Sequence, residues 1–435
     1  MFPTIQAASE AIRSGQSTPI DLLDQCLQRT DKYEDKIKAW VYLDRDGARE
    51  QAEKLTAELK ARQNRGPLHG IPIGIKDIID VFDMPTAAGS KLWANSIARE
   101  DADLVKKLRQ AGAIIMGKLT TTQYASFDPS PTRNPWNLER TPGGSSSGPA
   151  AAVACGMCLG AIGSQTGGSI TRPAAYCGIA SCKPSHGLVS GKGLVPLAPS
   201  MDHPGPMARS IWDLAVMLET TAEDSGLDLM SGLAKPHPVR FGRPRGLFED
   251  LAAPIVKAIT NEVEKTLRDC GSPVDRVALP AAFSEVLSRH RMIMAVEAAV
   301  YHEQRLMRHP EDYKPNITKL LQEGLACPAP EYARCKEHQW ALRASATQWF
   351  GRANVLLTPA TTSAAPDMAT TGDPAFNSPW SYTGLPTVSI PVGRDQDGMP
   401  LSIQLVGRQS EESVLFAAAA WCEKVLAQPL LDPPC

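Results

Sequence analysis

Residues 143–154 read GGSSSGPAAAVA, three serines between glycines followed by an alanine-rich run. Glycine- and serine-rich runs are typical of flexible linkers, but they also occur where a loop needs unusual backbone angles. Pro149 and the alanines after it predict a helix that begins directly behind the serines. This stretch is therefore compatible with a linker or with a catalytic loop, and the sequence on either side must decide between them.

The overall composition is that of a large globular protein. The 435 residues are 43% hydrophobic and 21% charged, which is ample material for a core. The 45 basic and 47 acidic residues leave a net charge of −2, so we expect no direct nucleic-acid partner. We also expect no membrane span and no signal peptide, because no window approaches the roughly 20 apolar residues that a bilayer requires.

Ten cysteines are scattered along the chain, a usage that favours reduced thiols and a cytoplasmic location over a disulfide framework. Cys155 and Cys158 form a CxxC pair, which is compatible with a zinc or redox site. The pair lies in an apolar, alanine-rich run without a nearby histidine. Small buried thiols are therefore the favoured interpretation, and we predict no metal site.

The order of the predicted elements indicates an α/β fold. Residues 69–81, HGIPIGIKDIIDV, form a β-branched run typical of a buried strand, and residues 102–119 read as a helix, a glycine turn and a strand. We predict a single large domain, residues 1–435, with a central mixed, mostly parallel twisted sheet covered by helices on both faces.

Four segments of this domain differ in pattern. We predict N-terminal helices over residues 1–65, the core motifs over 66–215, helices over 235–350, and late strands with a closing helix over 351–435. The helical segment 235–350 is either a cap over a site or a set of plain outer helices, and the sequence leaves both interpretations open.

One lysine lies in unusually apolar surroundings. Lys76 follows glycines and isoleucines in GIPIGIKD, so we expect its amino group in a poorly hydrated interior. Burial disfavours the charged form of an amine, which can turn a lysine into a neutral base. The structural alternative is an ion pair with Asp77 or Asp80, and it is the favoured interpretation while Lys76 is considered alone.

A second glycine turn follows the opening stretch. Residues 163–174 read GSQTGGSITRPA, with Ser169 directly after two glycines. Such a turn lets successive N–H groups point at one spot, which suits an oxyanion hole beside a serine nucleophile. A phosphate-binding loop is the alternative, but the motifs GxxxxGKS and GxGxxG are both missing, as is the nucleophile elbow GxSxG. His186 and His203 are conceivable bases for such a serine, although a surface or satisfied core position is the favoured interpretation of each.

Taken together, GIPIGIKD, TPGGSSSGPAAAVA and TGGSITRPAAYCG occur in this order over about residues 65–215, and the chain resembles the amidase signature family there. The resemblance extends more weakly to the late TGLPTVSIPVG. It implies a serine–cis-serine–lysine triad in which Lys76 matches the family lysine, Ser145 the bridging serine and Ser169 the nucleophile. The oxyanion donors that it implies are the backbone N–H groups of Thr166, Gly167, Gly168 and Ser169.

The chemistry implied by the resemblance is amide hydrolysis through an acyl-enzyme, without a cofactor or a metal. Neutral Lys76 would accept a proton from Ser145, and Ser145 one from Ser169, because one hydroxyl can donate and accept at once. On this interpretation the opening stretch is catalytic. Ser145 is its relay, while Ser146 and Ser147 serve the backbone and the following helix.

Three positions depart from the family pattern. Many members read SDTGGSIR, where this chain has Gln165 in place of the acid and Thr171 in place of the arginine, followed by Arg172. Gln123 stands where many members have a glutamate. We expect Gln123 and Gln165 to form a neutral pair near the active-site wall, which would avoid an unpaired buried charge.

The leading interpretation of function is a stand-alone amidase for a small carboxamide or urea-like substrate. One alternative is the glutaminase (A) subunit of a tRNA-dependent amidotransferase, which would need partner chains. It is disfavoured because its usual GYYDAYY-type segment is replaced by EYARCKEHQWALRA. Another alternative is a catalytically inactive scaffold, which the complete set of triad residues argues against. A homodimer is left open.

Substrate contacts are harder to predict than the triad. The family's acyl-side segment maps onto Ser126, Phe127 and Asp128, and FNSPWSYTG places Trp380 and Tyr382 at a plausible pocket wall. Asp128 would suit a cationic or NH-rich group, although a loop carboxylate of this kind is more often a turn former. Both aromatic residues are equally compatible with the core.

Overall fold

The computed structural model describes residues 2–223, 226–427, 429 and 432–434. Within these residues it contains eleven strands: β1 Trp40–Leu43, β2 Pro72–Lys76, β3 Ile114–Leu119, β4 Gly160–Gln165, β5 Ala180–Lys183, β6 His203–Ala208, β7 Phe241–Pro244, β8 Val274–Val277, β9 Val355–Pro359, β10 Thr387–Arg394 and β11 Pro400–Val406. They form one sheet with the order β1-β3-β2-β4-β6-β5-β10-β11-β9-β7-β8.

The described residues also form fifteen α-helices: α1 Ile5–Arg13, α2 Pro19–Ile37, α3 Arg45–Lys60, α4 Asp103–Gln110, α5 Ser147–Cys155, α6 Thr171–Cys177, α7 Ile211–Thr221, α8 Met230–Leu233, α9 Leu247–Asp250, α10 Pro254–Asp269, α11 Val286–Arg308, α12 Pro315–Leu325, α13 Ala329–Ser345, α14 Ser378–Thr383 and α15 Glu412–Leu426. None of the described helices combines the length and the apolar character that a bilayer crossing requires.

The predicted α/β class and mixed sheet are confirmed, but the expected majority of parallel pairs is wrong. Parallel pairs join β2 to β3 and β4, and β7 to β8 and β9. The other six neighbouring pairs are antiparallel. The late strands β10 and β11 follow each other directly as a hairpin, a connection that only antiparallel neighbours permit.

The central strands are buried along their whole length. Every residue of β2, β3 and β4 is buried. Because successive side chains of a strand point to opposite faces, complete burial requires that both faces of the sheet are covered. Because both faces are covered, these strands are almost continuously apolar in the sequence.

Short strands at the two ends of the sheet were not predicted. Trp40–Leu43 interrupts the predicted N-terminal helices, and Phe241–Pro244 and Val274–Val277 lie within the predicted helical segment. Each has only four residues, too few for an alternation that distinguishes a strand from its surroundings. Helix α2 begins at Pro19, with Thr18 accepting the N–H of Asp21 in a capping box.

The sheet brings the sequence motifs to one edge. β2 ends at Lys76, and its parallel neighbour β4 ends at Gln165, directly before the second glycine turn. Carboxyl ends of parallel strands meet at the same edge of a sheet, which is where α/β folds place their sites. Helix α5, which begins at Ser147, places the opening serine stretch at this edge as well, as the contacts of Ser145 below show.

Candidate active site

Lys76 lies fully buried at the end of β2 and contacts two hydroxyls. Its Nζ is 2.7 Å from Ser145 Oγ and 2.8 Å from Ser164 Oγ, with the Ser164 carbonyl oxygen at 3.4 Å. The predicted alternative, a pair with Asp77, is not formed, because Asp77 pairs with Lys118 at 3.2 Å. Among the described residues, Lys76 therefore has hydroxyl and carbonyl neighbours but no carboxylate within ion-pair distance.

This environment favours the neutral amine. Burial lowers the pKa of Lys76 well below its ordinary value, and the more distant carboxylate of Asp202 opposes the shift only in part. A buried ammonium without a carboxylate partner is costly, and loss of its proton removes that cost. The neutral amine is the form that a general base requires.

Ser145 follows a cis peptide bond between Gly144 and Ser145 and is fully buried. Its carbonyl oxygen accepts a hydrogen bond of 3.2 Å from the Thr122 N–H, while its Oγ faces Lys76. The next residue connects the two glycine turns, because the Ser146 N–H donates to the Ser169 carbonyl oxygen at 3.2 Å. The first serine of the stretch thus lies between the lysine and the second turn.

Ser169 lies in the turn between β4 and α6 and is 8% exposed, against 0% for Lys76 and Ser145. Of Lys76, Ser145 and Ser169, only Ser169 is accessible to solvent, and a residue that attacks a substrate must be accessible. No hydrogen bond joins the Ser145 and Ser169 hydroxyls among the described residues. Catalytic hydrogen bonds are often long in the absence of substrate.

The turn itself offers free donors. The backbone N–H groups of the four predicted donors, Thr166 to Ser169, donate to no protein acceptor among the described residues. Those of Ile170 and Thr171 both donate to Gln165 Oε1 at 3.0 Å. Successive unpaired N–H groups beside a serine hydroxyl are the arrangement that stabilises a developing oxyanion.

The expected pair of Gln123 and Gln165 is not formed. Gln165 donates from Nε2 to Ser381 Oγ at 3.3 Å and accepts from the glycine turn. Gln123 instead donates to the Asp312 carbonyl oxygen and accepts the Lys314 N–H at 2.8 Å. The two amides are engaged by different segments, and each both accepts backbone N–H groups and donates from Nε2, which a carboxylate could not do.

Arg172 is buried one turn after the nucleophile position. Its Nε donates to the Thr371 carbonyl oxygen at 2.6 Å, and its Nη2 donates to the Gly144 carbonyl oxygen at 2.8 Å and to Thr371 Oγ1 at 3.2 Å. Nη1 is enclosed without a partner. Burial lowers the pKa of Arg172, and no carboxylate lies within ion-pair distance among the described residues.

The acyl-side segment proposed for substrate contacts holds a helix in place. Asp128 accepts the N–H groups of Asn316 at 3.0 Å and Ile317 at 2.9 Å, so both carboxylate oxygens cap helix α12. Both oxygens are thus engaged by backbone N–H groups, and binding of a cationic group by Asp128 stays a prediction. Ser126 is buried and its carbonyl oxygen accepts from Thr122 Oγ1, while Phe127 packs against the main core.

The two proposed pocket aromatics lie in the core. Trp380 is fully buried and stacks on Phe248 with ring centroids 5.5 Å apart. Tyr382 is fully buried, and its hydroxyl donates to the Cys335 carbonyl oxygen at 3.0 Å and lies 2.8 Å from His338 Nδ1. Both side chains thus pack in the core, and their place at a pocket wall stays a prediction.

The other candidate groups form no competing site. His203 Nδ1 lies 2.6 Å from the Met201 carbonyl oxygen and His186 Nε2 3.1 Å from that of Pro199, and neither histidine hydrogen-bonds a serine among the described residues. Cys155 and Cys158 are buried and form no disulfide, while Cys435 lies outside the described residues. No cluster of potential metal ligands occurs within the described part of the chain.

Three contacts of the site have no signal in the sequence. Ser164 bonds Lys76 although it lies within a strand, and Asp202 accepts the Thr166 hydroxyl. His290, from helix α11 in the predicted helical segment, lies with Nε2 2.8 Å from the Thr166 carbonyl oxygen. The periodicity of a buried helix does not reveal which residue faces a distant turn, so only the fold could identify His290.

Comparisons with known proteins identify the family of the chain. The family model described as Amidase matches residues 21–416. The chain is 33% identical to a glutamyl-tRNA(Gln) amidotransferase subunit of Roseiflexus sp. (strain RS-1), covering 95% of this chain and 94% of that protein. It is also 33% identical to the putative amidase AmiD of Mycobacterium bovis, covering 98% and 94%. A solved amidase crystal structure superimposes with a TM-score of 0.88 at 32% identity, covering 97% of this chain and 99% of that one.

Proposed function

This chain belongs to the amidase family, and on that premise we propose that it hydrolyses the C–N bond of a small carboxamide or urea-like substrate through an acyl group on Ser169. The observation that carries the proposal is the 2.7 Å contact between Lys76 Nζ and Ser145 Oγ, made by a lysine without a carboxylate partner. A neutral amine that contacts a hydroxyl can act as the base, while the hydroxyl passes the proton on.

In the proposed reaction, Ser169 Oγ attacks the substrate carbonyl carbon. Its proton passes to Ser145 Oγ while the Ser145 proton passes to Lys76 Nζ. The carbonyl oxygen becomes negative and is held by the free N–H groups of the glycine turn. Lys76 then returns a proton through Ser145 to the leaving nitrogen, and the C–N bond breaks. Water hydrolyses the ester on Ser169 by the same relay, which restores the enzyme.

We further propose that the substrate carries a negative charge near the scissile amide. Arg172 is a buried guanidinium whose Nη1 has no partner among the described residues. This nitrogen lies beside residues 166–169, which we call the oxyanion turn, and is 2.8 Å from the position of a Cβ added to Gly168. A buried cation without an anionic partner is costly, and a substrate carboxylate would offset that cost. Matched amides with and without a carboxylate test this, with a preference of at least tenfold in kcat/KM expected for the acidic member.

The second candidate function is the glutaminase subunit of a tRNA-dependent amidotransferase. It is favoured by the 33% identity to the amidotransferase subunit of Roseiflexus. Residues 331–344, EYARCKEHQWALRA, form most of α13, and the segment lacks the tyrosines expected for that subunit apart from Tyr332. Ammonia release from glutamine only when partner proteins are added would favour this candidate over the stand-alone amidase.

A serine-directed probe tests the enzyme function itself. We expect a fluorophosphonate to label Ser169 in the purified chain, and a panel of glutamine, asparagine, malonamide, biuret-type and aryl amides to identify a substrate. The Ser169→Ala variant is the matched control and should remain unlabelled. Absence of labelling in the unaltered chain would favour an inactive scaffold, and loss of activity with a chelator would contradict the metal-free scheme.

A further inference from the structure

The carbonyl oxygens of the oxyanion turn are each held by a different donor. The Thr166 carbonyl oxygen lies 2.8 Å from His290 Nε2, that of Gly167 accepts from Ser381 Oγ at 3.2 Å, and that of Gly168 accepts from the Arg172 N–H at 2.9 Å. In a trans peptide the C=O and the following N–H point in opposite directions. A donor that fixes each carbonyl therefore fixes the direction of the next N–H group.

The N–H that follows the Thr166 carbonyl belongs to Gly167, one of the free donors. A carbonyl oxygen only accepts, so His290 must carry its proton on Nε2 and donate. We propose that His290 is a positioning residue for the oxyanion hole: by holding the Thr166 carbonyl, it aims the Gly167 N–H at the negative charge that develops on the substrate. This inference rests on the proposed function of the same site.

The surroundings of His290 support this role. The side chain is 3% exposed and packs on the turn, with Cε1 3.6 Å from the position of a Cβ added to Gly167. Burial lowers the pKa of His290 to about 4, which keeps the imidazole neutral near pH 7. The neutral ring has one N–H, and the Thr166 carbonyl takes it, so the tautomer and the ring orientation are fixed together.

His290 also connects the helical segment 235–350 with the chemistry. It is carried by α11, and its contact with Thr166 reaches the turn from outside the residues that hold the family motifs. If the segment were plain outer helices, replacement of His290 would affect stability alone. If α11 orients an oxyanion donor, replacement of His290 would affect the chemical step.

His302 is a matched control on the same helix. It is also a fully buried histidine, and burial also lowers its pKa, to about 3, but its Nδ1 contacts the Tyr313 hydroxyl at 3.0 Å instead of the turn. His290→Leu and His302→Leu remove the same side-chain chemistry from one helix. Only the first change releases a carbonyl of the oxyanion turn.

The test is steady-state kinetics on an amide that the unaltered enzyme hydrolyses. Removal of a whole oxyanion donor costs about 10²- to 10³-fold in kcat. His290→Leu misdirects a donor without removing it, so we expect a loss of about 10- to 100-fold in kcat, with KM within about threefold. His302→Leu should keep kcat within about threefold, whatever its melting temperature.

Rescue by a conservative variant separates positioning from packing. The amide nitrogen of glutamine reaches about as far as histidine Nε2, whereas that of asparagine is too short. We therefore expect His290→Gln to recover most of kcat and His290→Asn to remain impaired, a contrast that stays informative if His290→Leu does not fold. Unchanged kcat in folded His290→Leu, or equal losses in the Gln and Asn variants, would overturn the inference. Failure of the proposed function is distinguishable, because the unaltered chain would then neither label at Ser169 nor turn over any amide.

Discussion

Two buried lysines at the ends of neighbouring strands have opposite surroundings. Lys76 on β2 and Lys118 on β3 are both fully buried and lie one register position apart. Lys118 has the carboxylate of Asp77 at 3.2 Å, together with the Pro85 carbonyl oxygen at 2.7 Å and Thr86 Oγ1 at 2.9 Å. Lys76 has two serine hydroxyls and, within the described part of the chain, no such carboxylate.

The difference shows that burial alone does not make a lysine a base. Burial lowers the pKa of both amines, but the charge of Asp77 and its hydrogen bond counteract the shift at Lys118, whereas only the more distant Asp202 acts on Lys76. Lys118 is therefore suited to a structural ion pair, and Lys76 to proton transfer. The following predictions test whether the two lysines are separable in this way.

The largest effect is expected at Lys76. Lys76→Met keeps the length of the side chain but removes the base, so we expect kcat to fall by about 10⁴-fold or more, since members of a triad act as a unit. Thermal denaturation should show a folded protein. An activity within tenfold of the unaltered enzyme would show that another group accepts the Ser145 proton, and the contrast between the lysines would lose its meaning.

Lys118→Met should instead reduce stability. The change leaves the Asp77 carboxylate buried without its partner, and breaking a buried pair in this way costs about 3–5 kcal/mol. We expect the free energy of unfolding to fall by this amount while kcat of the folded fraction changes little. The double variant Lys118→Met/Asp77→Asn should recover part of the loss. A loss in kcat that exceeds the loss in the free energy of unfolding, both expressed as free energies, would indicate that Lys118 takes part in the reaction.

The pH dependence of kcat/KM tests the protonation state of Lys76. The base is active when neutral, so kcat/KM should fall as the pH falls through the lowered pKa of Lys76, by about tenfold per pH unit below it. The midpoint of this acidic limb should lie well below the ordinary lysine pKa of about 10.4. Asp202→Asn removes the charge that raises the pKa of Lys76, so it should move the limb to lower pH. A limb that moves to higher pH would contradict this electrostatic account.

The sequence predicted the central strands and the contact between Lys76 and Ser145 better than their surroundings. The long apolar runs of β2 and β3 identify themselves because a strand covered on both faces needs apolar residues throughout. Lys76 was identifiable because it is an ionisable residue within such an apolar run. The four-residue strands β1, β7 and β8 have no comparable signal, and strand direction is a property of the connections, which is why the share of parallel pairs was overestimated.

Side-chain partners across long sequence separations could not be predicted in the same way. Asp128 looks the same in sequence whether it binds substrate or caps α12, which begins nearly 190 positions later. Trp380 is an equally good pocket wall and core residue until Phe248 is placed beside it. The choice of Asp77 between Lys76 and Lys118 likewise depends on the register of two strands.

The smallest effect is expected at Ser164, whose hydroxyl is the second one that Lys76 contacts. Ser164→Ala removes the 2.8 Å contact from Lys76 Nζ and leaves Ser145 as its hydroxyl partner. A neutral amine must turn its lone pair towards Ser145 to accept a proton, and the bond donated to Ser164 Oγ helps to fix that rotation. One such hydrogen bond contributes about 0.5–1.5 kcal/mol, so we expect kcat to fall about 2- to 10-fold.

Ser147→Ala is the control for this last change, because Ser147 is also a buried hydroxyl of the site region, but it lies 2.6 Å from Ser130 Oγ and does not contact the lysine. It should leave kcat unchanged. Ser164→Ala should also preserve the acidic limb of the pH profile, since the carboxylate environment of Lys76 stays the same. A loss as large as that of Lys76→Met would instead make Ser164, and not Ser145, the group through which the lysine acts.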